Sequence, residues 1–112
     1  MSLKIINHLT HSSFDVKEEG IGKNVDKLIE ILKKYGFQEN PGLKGEYQLE
    51  NTKITERAFI HDSKYGILSL LHDDNEIAIY WYDKEEAISI LQDFAKDLGR
   101  EIEIIENPFW CV

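Results

Sequence analysis

The stretch GEYQLENTKITERAFIHDSKYGILSLLHDDNEIAIYWY, residues 45–82, carries the information that decides the fold. It divides into four β-rich runs, about Gly45–Glu50, Ile54–His61, Ile67–His72 and Glu76–Tyr82. The breaks are Asn51-Thr52, residues 62–66 and Asp73-Asp74-Asn75. Short, turn-forming breaks between β-branched and aromatic runs predict an antiparallel hairpin meander.

The turns also imply a register. A turn at 62–66 sets Ile60 opposite Leu68 and Ala58 opposite Leu70, and a turn at 73–75 sets Leu70 opposite Ile79. One face then gathers Ile54, Ala58, Ile60, Leu68, Leu70, Ile77, Ile79 and Trp81 as the core. The other gathers Arg57, Phe59, His61, Ser69, Tyr80 and Tyr82 beside Ile67, Leu71 and Ala78. That second face reads as an aromatic platform with polar handles, suited to a ligand or a partner.

Outward from the meander lie two amphipathic helices. Val25, Leu28, Ile29, Leu32 and Tyr35 recur at three-and-four spacing and predict a helix from about Lys23 to Tyr35. Gly36 is placed as its left-handed cap, with Lys33 and Lys34 in the last turn. After a turn over Gln38–Lys44 and the meander, Asp83-Lys84-Glu85-Glu86 resembles a capping box. It starts a helix that turns Ala87, Ile88, Leu91, Phe94, Ala95 and Leu98 inward and ends at Gly99. Glu101-Ile102-Glu103-Ile104 alternates as a last strand. Leu3–Leu9 fits a strand or a short helix, and Asp15–Gly22 an extended stretch or loop. The expectation is an α+β domain spanning residues 1–112, with an antiparallel sheet of four to six strands and two helices packed on one face.

The net charge of −8 is unevenly spread. Residues 1–45 hold seven lysines and six acids, whereas residues 46–112 hold four lysines and two arginines against fifteen acids. So acidic a second half disfavours a nucleic-acid backbone, which recruits Lys and Arg, and favours a basic protein partner. Glu86, Asp93 and Asp97 share one stripe of the second helix, and Glu101 and Glu103 follow it. These five are the candidate partner-binding residues. Size and acidity together are those of small acidic inhibitors, immunity-type proteins among them, although no motif ties the chain to a family.

The chemistry-bearing motifs are weak. His8 and His11 stand three apart with only Asp15 near them, His61 and His72 end strands at opposite tips of a hairpin, and no zinc-ligand spacing occurs. No metal and no cofactor is therefore expected. Gly20-Ile21-Gly22-Lys23 precedes a helix but matches no phosphate-binding fingerprint. No serine sits in a nucleophile motif, and Cys111 reads as a packing residue. The lone cysteine, the lack of a leader-like segment and the lack of a membrane-length apolar run predict a cytoplasmic location with no membrane partner. The reading is of a binding domain more than an enzyme. Its alternatives are a small-molecule or catalytic site on the platform around Phe59, His61, Tyr80 and Tyr82, and self-association through Phe109 and Trp110.

Overall fold

The computed structural model describes residues 1–10, 12–63, 66–81 and 83–107. Tyr82, Phe109, Trp110 and Cys111, which the sequence singles out, lie outside them. The fold is α+β: two helices and an eight-stranded mixed sheet. Strands β1 (Ser2–His8) and β2 (Ser13–Lys17) precede helix α1 (Val25–Lys34). Strands β3 (Phe37–Glu39), β4 (Gly45–Leu49), β5 (Thr52–His61), β6 (Leu68–His72) and β7 (Glu76–Tyr80) follow. Helix α2 (Lys84–Asp97) and strand β8 (Glu101–Asn107) complete the order.

The spatial order is β3-β5-β6-β7-β2-β1-β8, with β4 beside β5 on the edge it shares with β3. All neighbours are antiparallel except β1 and β8, which run parallel from Ser2 opposite Glu101 to His8 opposite Asn107. The sheet is thus larger than the four to six strands expected, and mixed where a purely antiparallel one was expected. Phe37–Glu39 is a strand where the sequence suggests a turn, and only Pro41–Leu43 beyond it forms a 3₁₀ turn. Ser2–His8 is a strand and not a helix, and His11 lies outside the described residues.

Both helices form for the reasons their sequences give. The Asp83 carboxylate accepts from the Glu86 backbone N–H at 3.2 Å, satisfying one orphan donor at the start of α2. Gly36 closes α1 with φ of 94°, a conformation that costs a side-chain-bearing residue about 1–2 kcal/mol. Leu28 and Leu32 of α1 and Ile90 and Phe94 of α2 are buried in one cluster with Leu3, Ile5, Phe14, Phe37, Phe59, Leu70, Ile77 and Ile79. By the pairing register, those sheet residues all point to one face, so that face carries the core.

The register of β5 departs from expectation by one residue. Phe59, not Ile60, lies opposite Leu68, and Arg57, not Ala58, lies opposite Leu70. A one-residue slip sends every side chain of the strand to the other face. Phe59 is fully buried, Ile60 is 40% exposed, and Ile54 and Ala58 also turn away from the helices. Leu68, Leu70, Ile77 and Ile79 keep their expected side.

Burying the Phe59 ring stabilises by about 2–3 kcal/mol, of the same order as burying Ile60 in its place. The accompanying cost is taking Arg57 and His61 onto the covered face, and both find partners there. The Arg57 guanidinium donates to both carboxylate oxygens of Glu39 at 2.7 and 2.8 Å, and Glu39 is supplied by the unforeseen strand β3. That pairing holds the Glu39 carboxyl below its ordinary range. His61 Nε2–H donates to the Tyr35 carbonyl at 3.1 Å, capping the end of α1, while Nδ1 accepts from the Ser63 backbone N–H at 3.1 Å.

A second clamp joins distant parts of the chain. The Arg100 guanidinium donates to both Glu18 carboxylate oxygens at 2.6 and 2.8 Å and to the Ser2 carbonyl at 2.9 Å. It fastens the start of β8 to the start of β1.

Candidate docking surfaces

The six platform residues do not assemble as one surface. Arg57, Phe59 and His61 sit on the helix-covered face, Ser69 and Tyr80 on the opposite one, and Tyr82 is outside the described residues. The five acidic candidates also divide. Glu86, Asp93 and Asp97 belong to α2 in the helix layer. Glu101 and Glu103 alternate with Ile102 and Ile104 and point to the opposite face of the sheet. Asp93, Asp97, Glu101 and Glu103 are exposed, whereas Glu86 is half-buried. Asp93 accepts a hydrogen bond from the Tyr35 hydroxyl at 2.7 Å, which pushes the phenol up to about 12 because ionising it would set two negative charges together.

The face away from the helices is the more structured of the two surfaces. Alternation places Ile6, Ile54, Ile60, Leu71, Tyr80 and Ile105 on it. Ile60, Tyr80 and Ile105 are each at least 40% exposed. The same alternation brings five acids there, Asp15, Glu56, Glu76, Glu101 and Glu103, against Lys4 and Lys17 among the described residues.

The charges of three of these acids bear on Tyr80. Its phenol is raised above its ordinary pKa, first by burial and then by the charges of Asp15, Glu76 and Glu56. Asp15 lies opposite Ala78, diagonal to both Tyr80 and Glu76. Burial first, and the Asp15 charge second, raise the Glu76 carboxyl above the usual carboxylate range. Between Asp15, Glu76 and Tyr80 and the apolar Ile54, Leu71 and Ala78 lies a cleft of about 160 Å³. Beyond it, past the hairpin tips, a broader polar groove of about 810 Å³ carries both signs, with Lys17, Lys53, Glu46 and Asp74 on its walls.

At the upper end of this face Ser13, His8 and Asp15 come together, all three on neighbouring strands. His8 lies directly opposite Ser13, and its Nε2 is 2.7 Å from an Asp15 carboxylate oxygen. The Asn107 side-chain N–H group stands 3.4 Å from His8 Nδ1. An amide donor on Nδ1 fixes that nitrogen as acceptor and leaves Nε2–H to donate to Asp15, so neither nitrogen faces Ser13 as a base. Ser13 and His8 are both buried, at 2% and 4% exposure, closed off from a substrate. The arrangement is a buried hydrogen-bonded network without the geometry of nucleophilic catalysis.

His72 ends β6 half-buried, with a pKa lowered first by desolvation and then by the Arg57 charge. No cluster of three or more metal-ligating side chains is present among the described residues. No helix there is long and apolar enough to cross a membrane.

Family models, curated proteins and solved structures yield no match to this chain.

The sequence reading missed Asp15, Glu56 and Glu76. The signal for Asp15 is Ser13-Phe14-Asp15-Val16-Lys17, whose strict alternation puts Asp15 opposite in sense to Phe14 and Val16 once the segment is read as a strand. Glu56 follows from the corrected register of β5. Glu76 opens the last of the four predicted runs, and the same alternation sets it on the face of Ala78 and Tyr80.

Proposed function

We propose that the protein is a non-enzymatic interaction domain whose acidic surface engages a basic protein partner. The observation that carries this reading is the presentation of the excess acid. Asp93, Asp97, Glu101 and Glu103 stand exposed and enter none of the ion pairs among the described residues. Exposed unpaired carboxylates of one sign raise the local potential and steer an oppositely charged partner, at little cost to the fold. An inhibitor of a basic protein would have this character.

The test is capture of a stoichiometric partner from native lysate, followed by affinity measurements on the purified pair at low and at physiological salt. A basic partner whose affinity falls steeply with salt is expected, since the Debye length shortens to about 8 Å at physiological ionic strength. An acidic or neutral partner, or an affinity indifferent to salt, would overturn the proposal.

A further inference from the structure

Resting on that reading, we infer that the partner docks on the face of the sheet away from the helices, around Tyr80, through a segment that carries lysine or arginine between apolar residues. The α2 stripe is the competing location, and the two surfaces differ in kind. Around α2 the acids stand on a helix whose apolar residues are already turned into the core. An approaching cation there gains only a solvent-screened attraction, typically below about 1 kcal/mol per pair. On the sheet face, exposed Ile60, Tyr80 and Ile105 accompany the acids, so one docking event buries apolar area and places positive charge against negative.

Charge complementarity singles out the occupant. Asp15, Glu56 and Glu76 share the face of Tyr80, and Asp15 and Glu76 line one cleft with it. A lysine or arginine head group entering that cleft meets both carboxyl groups, while its stem lies along Ile54 and Leu71. An acidic segment would instead set like charges together, and a purely apolar one would cover the carboxyl groups without bringing a cation.

The dimensions favour a segment over a second globular copy. From β5 to β8 the face spans five strand spacings, and with strands of about five residues it measures roughly 24 by 17 Å, on the order of 400 Å². A stable globular complex buries about 800 Å² per partner.

The experiment is a titration of the intact, isotope-labelled protein with three synthetic probes, followed by amide shifts: alternating lysine–leucine, all-lysine, and alternating glutamate–leucine peptides. Shifts from the first probe should concentrate on β2, β6 and β7, and its affinity should exceed that of all-lysine by about tenfold or more. The doubly neutralised Glu56→Gln, Glu76→Gln protein should bind it about tenfold more weakly, and Tyr80→Ser should also weaken it. Neutralising Glu86, Asp93 and Asp97 together should change little. Each variant's unbound amide spectrum shows whether it is folded; if the double variant is not, the Tyr80→Ser protein alone decides. Shifts on α2, with loss of binding in the α2 variant, would overturn this inference and leave the proposed function standing. Equal binding of all-lysine and lysine–leucine peptides would also overturn it, as would no binding of either. A concentration-dependent mass in sedimentation that Tyr80→Ser abolishes would assign the face to a second copy and overturn it as well.

Discussion

The position of β5 can be tested with two adjacent residues. Phe59 is fully buried against the helices, and Ile60 points the other way at 40% exposure. Phe59→Ala removes a ring from a packed core and should cost about 3–5 kcal/mol. A domain of this size has only about 5–15 kcal/mol of stability in all, so that variant stands near the limit of folding. Phe59→Leu is the safer probe, at about 1–2 kcal/mol, because most of the volume is kept. Ile60→Thr keeps the β-branch and should fall within about 0.5 kcal/mol of the parent, as surface changes do. Urea unfolding followed by tryptophan fluorescence reads the difference. With a slope of about 1.5 kcal/mol per molar, the Phe59→Leu midpoint should drop by about 1 M while that of Ile60→Thr barely moves. If Ile60→Thr proved as costly as Phe59→Leu, the core would hold Ile60 and the register argued above would be wrong.

Two further outcomes follow from the same geometry. Gly36 and Gly99 both have positive φ, but a side chain at Gly36 would run into the His61 imidazole, whereas the space at Gly99 is open. Gly36→Ala should therefore destabilise by about 1 kcal/mol or more beyond Gly99→Ala, a gap of several degrees in thermal midpoint; equal losses would show that His61 does not pack there. Glu76 has a folded pKa raised above its unfolded value, so its contribution is complete below the ordinary carboxylate range and is lost as pH rises through the raised value. Glu76→Gln should flatten that decline and melt higher than the parent at neutral pH. His72 acts in the opposite direction: its pKa is lowered, so its contribution is present above the ordinary imidazole value and is lost as pH falls. Melting curves across pH for Glu76→Gln and His72→Gln separate the two, and a pH profile unchanged by either substitution would refute both assignments.

What could be read from the sequence was local. Both helices follow from apolar spacing, the Asp83 cap and Gly36, and the hairpins of β4 to β7 from their turn residues. Residue 59 defeated the reading because alternation reports only that two sets of side chains face opposite ways. Ala58 and Ile60 looked apolar enough for a core, and nothing nearby announced that Glu39 would arrive to neutralise Arg57. Strand β3 has three residues and no alternation to detect. Strand β8 was visible as a strand, but its parallel neighbour was not, because the partner lies at the other end of the sequence. The candidate surfaces inherit these limits: Tyr80 and Ser69 stayed together because β6 and β7 kept their register, while Phe59, His61 and Arg57 moved away with β5.

The parallel pairing of β1 with β8 also governs the order in which the molecule can be assembled. Its partners stand 99 positions apart in the chain. Closing a loop of that length costs about 4 kcal/mol of chain entropy before any contact repays it. The hairpins from β4 to β7 close over a few residues each and can form early, whereas β1 can gain only β2 until the last strand has left the ribosome. During synthesis Leu3 and Ile5 then wait on an open strand edge, the kind of surface that recruits other chains. The Arg100 clamp on Ser2 and Glu18 sits at the residue that ends that wait, where β8 begins to lie down beside β1.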